Sequence, residues 1–266
     1  MKKNYVINKG ILLVIAYLIS SCAMAQDTMI NTKHYNSLYQ YGIADAFLGG
    51  QYRGGLTINQ LKLNGDFGIG APDMLDGELI EYKGKVYQTK ASGQTIEAPD
   101  TLKTALAFVC FFKADTSFRI TDTVSQKEAL RQIESYLNNK NGIYAIRITG
   151  LFKHVKTRAF HPVDKEPFPA LASIPERQEF FEFNQVDGVL CGYKMPSYMD
   201  GININGFHFH FLSAKHNAGG HVLDFLPENV LVEISVINNL QVTIPHDKSF
   251  MDLKFKDQAA PVMTNK

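Results

Sequence analysis

The feature that most constrains this chain is the alternation of phenylalanine and histidine in Gly206-Phe-His-Phe-His-Phe211. In an extended strand, successive side chains point to opposite faces. His208 and His210 therefore share one face, and the three phenylalanines share the other. The pattern predicts a strand that carries a pair of imidazoles on one side and an apolar surface on the other.

A third histidine follows after a predicted turn. The polar segment 213–220 ends in two glycines and leads into the apolar run 221–225, so His221 could return beside His208 and His210. Three neutral imidazoles with an open fourth position are typical of a catalytic zinc site. The alternative interpretation is that all three histidines are ordinary polar positions on half-exposed strands.

The cysteines argue against a different kind of metal site. Cys22, Cys110 and Cys191 have no paired spacing, so a thiolate-rich structural zinc site is disfavoured. Cys110 and Cys191 each lie in an apolar, strand-like run. We therefore expect two buried free thiols in preference to a disulfide.

Residues 1–25 have the pattern of a secretory signal peptide. Three lysines precede the apolar run 10–19, and Ala23-Met-Ala25 supplies the small residues of a cleavage site. The apolar run is short for a transmembrane helix. Ile19-Ser-Ser-Cys22 also resembles a lipobox, in which Cys22 would carry a lipid anchor. Either pattern predicts export, as a periplasmic or secreted protein or as a membrane-tethered lipoprotein.

The charge balance disfavours one class of partner. Without residues 1–25 the chain has 24 basic and 26 acidic residues, a formal charge of −2. Nucleic acid is therefore not an expected ligand.

Hydrophobic periodicity predicts a few elements clearly. Ser125 to Asn139 reads as a helix with a capping box, and Glu78 to Gln88 reads as a hairpin. The segment 64–70 is predicted to be a glycine-rich loop, without the Lys-Ser or Lys-Thr of a phosphate loop. Four prolines in 161–175 predict an irregular loop or an internal boundary, and the chain beyond it is almost wholly strands.

Several motifs in fixed order resemble those of alpha-acetolactate decarboxylase. The resemblance covers roughly Ser37 to Phe255. Its motifs are Asn64-Gly-Asp-Phe-Gly-Ile-Gly70, Leu75-Asp-Gly-Glu-Leu79, Tyr144-Ala-Ile-Arg147, Val155-Lys-Thr-Arg158, Gly201-Ile-Asn203, Gly206-Phe-His-Phe-His-Phe211 and Ala218-Gly-Gly-His-Val-Leu-Asp224.

The resemblance implies an α+β fold with mixed and antiparallel β-sheets, a few helices and a zinc site on the C-terminal strands. It matches His208, His210 and His221 to the three zinc ligands of the family, and Glu78 and Arg158 to its active-site glutamate and arginine. Residues 26–266 would be the catalytic region, and a division into two sub-domains near 160–178 is left open. So is a homodimer.

The activity implied is decarboxylation of 2-acetolactate to (R)-acetoin and carbon dioxide, a step in acetoin and butanediol formation. A zinc ion chelated by the ketone and hydroxyl oxygens would stabilise the enediolate. Glu78 would transfer a proton, and Arg158 would orient the carboxylate. Taken alone, the local sequence favours a surface cation at Arg158 and an exposed carboxylate at Glu78.

Two departures from the family pattern leave a second hypothesis open. Gly70-Ala-Pro-Asp73 stands where the family usually has Gly-Thr-Phe-Asn. No glutamate follows Glu233, where the family carries another active-site glutamate, and only Asp247, Asp252 and Asp257 remain. The alternative is a non-catalytic or substrate-shifted metal-binding envelope protein of the same fold. A cupin-like site is disfavoured, because no glutamate follows His210 by three or four residues.

Overall fold

Two β-sheets contain nearly half of residues 33–255, the part of the chain that the computed structural model describes. Strands β1 to β13 are Ser37–Tyr41, Leu56–Thr57, Phe67–Pro72, Glu78–Tyr82, Lys85–Thr89, Thr95–Glu97, Lys103–Cys110, Thr116–Ile120, Ile143–Phe160, Gln178–Met195, Gly206–Ser213, Gly219–Ile237 and Asn239–Thr243. Within the same residues, helices α1 to α4 are Ala44–Leu48, Ile58–Leu61, Gln126–Ser135 and Lys248–Met251. This architecture confirms the expected α+β class with mixed and antiparallel sheets.

The first sheet contains strands from both ends of the described chain. Its order is β13-β1-β7-β3-β4-β5-β6, with β2 also paired to β7. Neighbouring strands are antiparallel except β1 and β13, which are parallel, with Ser37 opposite Asn239 and Tyr41 opposite Thr243. The sheet therefore needs residues that lie some 200 positions apart in sequence.

The second sheet closes into a ring. β11 pairs with β10, β10 with β9 and β9 with β12, and β12 returns to β11 over a short ladder that includes His210 opposite His221. β8 pairs with residues 230–234 of β12, in the C-terminal half of that strand. Phe209 and Phe211 lie in a core cluster with Phe152 and Phe225. The predicted apolar face of β11 is confirmed.

Three apolar clusters surround these sheets. One lies between them and includes Phe108 of the first sheet and Tyr193 of the second. The Tyr193 hydroxyl lies 3.3 Å from the carbonyl oxygen of Phe67 and 3.2 Å from that of Phe108, and it can donate to either. The same cluster contains Cys110 and Cys191, which are buried free thiols as expected.

The second cluster lies between α3 and the ring, and the third covers the other face of the first sheet. The sheets are thus held together by burial of apolar surface on several faces.

The clearest predicted helix is present but shorter than expected. Ser125 caps α3 by accepting a hydrogen bond from the backbone N–H of Glu128, and the Glu128 carboxylate accepts from Arg131 and Gln132, so the Ser125 half of the predicted capping box is confirmed. The helix ends at Ser135 and does not continue to Asn139. Beyond the helix, the Tyr144 hydroxyl accepts from the backbone N–H of Asn139 and donates to its carbonyl, both at 2.9 Å, so Asn139 is held in a turn that leads into β9.

The prediction of a glycine-rich loop at 64–70 is wrong in its second half, since Phe67–Pro72 is the buried strand β3. The glycines have a packing reason. A Cβ at Gly68 would lie 2.2 Å from the Phe108 carbonyl oxygen, and one at Gly70 would lie 2.6 Å from that of Leu106. Here glycine permits close approach of neighbouring strands, which is its alternative meaning in a strand.

Several predictions concern residues outside the described range, membrane spans or the division of the chain into sub-domains. The signal peptide over 1–25, with Cys22, lies outside the described residues, as does Asp257. Within residues 33–255, no helix combines the length and apolarity needed to cross a membrane. The segment between β9 and β10 joins two neighbouring strands of one sheet, and a sub-domain division near 160–178 stays a prediction.

Glu81 is a buried acid in the middle of the first sheet. Its side chain is 2% exposed, and neither carboxylate oxygen has a hydrogen-bond partner within residues 33–255. Burial raises the pKa of Glu81 from 4.5 to about 8; Asp66 adds to this shift and Lys62 opposes it. The folded chain therefore carries a proton on Glu81 at neutral pH.

This buried proton predicts a pH-dependent stability. Between pH 4.5 and 8 the folded chain binds more protons at Glu81 than the unfolded chain. The contribution of Glu81 to the free energy of unfolding is therefore greatest below pH 4.5 and is lost as the pH rises to 8. The slope is at most about 1.4 kcal/mol per pH unit. Glu81→Gln should remove this slope and raise the free energy of unfolding by about 4 kcal/mol at pH 7.5.

Denaturant unfolding at pH 5, 6.5 and 7.5 measures the effect. Glu97→Gln is a matched control, because Glu97 is an exposed acid on the same sheet, paired with Lys85 at 2.8 Å. A Glu81→Gln variant that keeps the slope of the unmodified protein would show that Glu81 is ionised in the folded state.

Candidate active site

Three adjacent strands bring the predicted histidines and the predicted arginine together. His210 on β11 is opposite His221 on β12, and His221 is opposite Arg158 on β9. Cross-strand neighbours project from the same face of a sheet. His208 lies two residues before His210 and shares this face, where its ring meets Phe108 of the first sheet edge to face at 6.3 Å. The group therefore lies between the two sheets.

The three imidazoles converge on a common point. His208 Nε2 lies 3.2 Å from His221 Nδ1, which lies 3.3 Å from His210 Nε2. Two nitrogens bound to one tetrahedral zinc at about 2.0–2.1 Å are separated by roughly 3.3–3.4 Å. Within the described residues this is the one cluster of three or more possible metal ligands. Its spacing fits a single metal ion.

A hydrogen bond to the first sheet fixes the protonation of one ring. His210 Nδ1 lies 2.7 Å from the carbonyl oxygen of Leu79. A carbonyl can only accept, so Nδ1 carries the hydrogen and Nε2 directs its lone pair towards the other histidines. Histidines that bind metals are commonly oriented in this way by an outer partner.

Burial keeps the triad neutral. It lowers the pKa of His208 to about 3, with a further contribution from Arg158, and it lowers the pKa of His210 and His221 well below the usual value. Neutral imidazoles are the form that binds metal. The donor set therefore fits a zinc ion in both spacing and charge state.

Glu78 enters this group from the first sheet. Arg158 Nη1 donates to Glu78 Oε1 at 3.0 Å, and Glu78 Oε2 lies 3.5 Å from His210 Nε2. Burial raises the pKa of Glu78 to about 7, although Arg158 opposes the shift. The carboxyl therefore exchanges its proton near neutral pH.

Arg158 is held on two sides. Its side chain is 15% exposed, and its guanidinium lies 4.7 Å from the centre of the Phe160 ring. The bond to Glu78 is its one hydrogen bond within residues 33–255, so other N–H groups remain for a ligand. Neither Arg158 nor Glu78 is the exposed surface group that the local sequence alone favours.

A small cavity of about 70 Å³ opens beside these polar groups. Its other walls are apolar, and sequence reasoning did not identify them, since no local pattern marks residues that arrive from separate elements. They include Phe47, Leu48, Leu75, Phe108, Leu171 and Ile204. Ala71 also lines the cavity, so the departure from the family's usual threonine falls at the site itself.

The C-terminal aspartates that the structure describes have other partners. Asp247 caps α4 by accepting from the Phe250 N–H at 3.1 Å, and exposed Asp252 pairs with Lys248. Neither lines the cavity. Among the remaining histidines, His216 is exposed and bonds to the Tyr87 hydroxyl at 2.9 Å.

Comparison with known proteins finds matches to one family over most of the chain. The sequence profile of the alpha-acetolactate decarboxylase family matches residues 38–257. Curated relatives include the alpha-acetolactate decarboxylases of Brevibacillus brevis, 37% identical over 81% of this chain and 75% of the relative, and of Lactococcus lactis, 37% identical over 80% and 90%. The crystal structure of alpha-acetolactate decarboxylase from Bacillus subtilis strain 168 superposes with a TM-score of 0.81 at 31% identity, covering 84% of this chain and 94% of that one.

The triad predicts metal binding that depends on its individual rings. His210→Ala should weaken zinc binding by more than the roughly 10–100-fold that loss of an outer partner costs, because it removes a ligand. Competition with a chromophoric chelator measures the affinity. His216→Ala, in the turn that joins the same two strands, should leave it unchanged. Equal affinity in the two variants would show that zinc binds elsewhere.

Proposed function

The chain belongs to the alpha-acetolactate decarboxylase family, and we propose that it converts 2-acetolactate to (R)-acetoin and carbon dioxide using zinc held by His208, His210 and His221. The convergence of these three imidazoles with Glu78 and Arg158 at one cavity is the observation that carries the proposal. A small, partly apolar cavity suits a substrate with two methyl groups and a carboxylate.

The reaction breaks the bond between the carboxylate and the carbinol carbon of 2-acetolactate. The electron pair of that bond moves towards the neighbouring ketone oxygen, and the carbinol carbon then takes up a proton. A bound zinc ion supplies a Lewis acid for the negative charge that develops on oxygen. The described side chains must therefore bind the carboxylate, orient it and deliver one proton to the carbinol carbon.

Arg158 is suited to bind the carboxylate. Its guanidinium is charged at any relevant pH and can form two parallel hydrogen bonds with a carboxylate. The contacts with Phe160 and Glu78 restrict its position before a ligand arrives. Such preorganisation lowers the entropic cost of holding the breaking bond in a productive orientation.

Glu78 is suited to carry the proton. Burial raises the pKa of this carboxyl to about 7 in the site without metal, and a zinc ion beside it would lower that pKa, so the carboxyl can pass between its two protonation states near neutral pH. Its position beside Arg158 and His210 places it on one side of the cavity. Delivery of the proton from a single side would give one enantiomer of acetoin.

Export of the enzyme is a separate proposal, motivated by the sequence of residues 1–25. Mass spectrometry of the mature protein distinguishes the two routes. A new N-terminus at Gln26 would indicate a free exported form, whereas a lipid-modified Cys22 at the N-terminus would indicate a tethered one. An intact Met1 in the protein recovered from cells would contradict export.

Acetoin formation from racemic 2-acetolactate by the purified, zinc-loaded protein tests the activity. We expect turnover that gives (R)-acetoin on chiral analysis. Glu78→Gln should lower kcat by about 10²–10⁴-fold, because it removes the acid, and Arg158→Met should lower kcat/KM by at least about 10²-fold. Lys156→Met is a matched control for Arg158, since Lys156 lies two residues away on β9 and pairs with Glu182 at the surface.

Zinc binding without turnover would instead favour the substrate-shifted or non-catalytic alternative. Ala71 at the cavity wall is the structural observation that makes this outcome worth testing. Turnover that survives in Glu78→Gln would leave the decarboxylase in place but remove Glu78 from proton transfer.

A further inference from the structure

The turn before β4 has an unusual backbone. Met74 and Leu75 both have positive φ, 60° and 58°, although neither is glycine. Left-handed conformations are unfavourable for such residues and persist only where surrounding contacts impose them. Leu75 is fully buried and lines the cavity. The turn over residues 73–77 is therefore held in place by its neighbours.

This turn sets the position of two groups at the site. Glu78, the first residue of β4, contacts Arg158 and His210, and the carbonyl of Leu79 accepts the hydrogen bond from His210 Nδ1. A small displacement at the start of β4 would move a carboxylate and a ligand-orienting carbonyl together.

The side chain of Gln88 on β5 binds the turn over residues 73–77. Its Nε2 lies 2.6 Å from the carbonyl oxygen of Asp76 and 3.0 Å from Asp76 Oδ2, and it is 3% exposed. Gly77 follows directly, with φ of +94°, and a Cβ there would lie 2.0 Å from the Thr89 carbonyl oxygen. The turn is thus pressed against β5 at the place where Gln88 binds it.

A second contact on the same aspartate is weaker. Lys90 Nζ lies 2.9 Å from Asp76 Oδ2, but the Lys90 side chain is 38% exposed. Exposed ion pairs contribute little to a fixed geometry. The buried amide of Gln88 is the better candidate for holding the turn.

We propose that Gln88 is a positioning residue, which acts through the Asp76-Gly77 turn to hold Glu78 and the Leu79 carbonyl against Arg158 and His210. The inference rests on the proposed function for its catalytic readout, and on the histidine triad alone for its metal-binding readout. Gln88 does not line the cavity. Its effect must therefore pass through the backbone.

Gln88→Met tests the proposal, because methionine has similar length and cannot donate a hydrogen bond. We expect kcat to fall about 10-fold with KM changed less than threefold, and zinc affinity to fall about 10-fold, the lower end of the range for lost outer contacts. Gln88→Asn, whose amide is one methylene too short, is the second variant if Gln88→Met does not fold. It should show the same losses.

Gln51→Met is a matched control for the removal of a buried amide. Gln51 is also 3% exposed and donates to an aspartate, with 3.0 Å to each oxygen of Asp247, and it does not line the cavity. It should lower Tm to a similar extent as Gln88→Met but leave kcat and zinc affinity within twofold. Lys90→Met should also leave both unchanged.

Two results would overturn the inference. One is a folded Gln88 variant with kcat and zinc affinity within twofold of the unmodified protein. The other is equal loss of both in Gln51→Met, which would indicate a general effect of instability. If the unmodified protein has no turnover, the proposed function fails, and the zinc affinities of the same variants still decide the role of Gln88.

Discussion

The hydrogen bond between His210 and the carbonyl of Leu79 links the two sheets at the point where the site forms. It joins a side chain of β11 to the backbone of β4, over 131 positions of sequence. It also decides which nitrogen of His210 faces the other imidazoles. The orientation of one ring, the approach of Glu78 and the packing of one sheet against the other thus depend on the same contact.

The buried polar groups near this contact stabilise one another electrostatically. Arg158 stabilises the ionised form of Glu78 against the effect of burial, and the three imidazoles stay uncharged because water is excluded. Removal of either member of a buried ion pair leaves an isolated charge, which is costly. The site is therefore a set of mutually dependent groups within apolar surroundings, unlike Glu81, which lies in the first sheet and keeps a proton.

Local sequence patterns foretold some of this arrangement. Alternation in β11 placed His208 and His210 on one face, and the turn before β12 brought His221 beside them, because the period of a strand and the chemistry of a glycine turn are local properties. Arg158 and Glu78 were identified only through the resemblance to a family. Nothing in their own neighbourhoods distinguishes them from surface charges, since their burial comes from strands far away in the chain.

Other differences have the same cause. The glycines of β3 predict a loop when the segment is taken alone, because close packing against Leu106 and Phe108 is not visible in the segment itself.

The pairing of β1 with β13, which are distant in sequence, also affects the rate of folding. Contacts between distant parts of a chain form slowly, because the entropy of the long loop between them is lost before the favourable contacts are made. A ribosome-bound chain cannot complete the first sheet until Asn239–Thr243 has emerged, so His208, His210 and His221 leave the ribosome before this sheet can close.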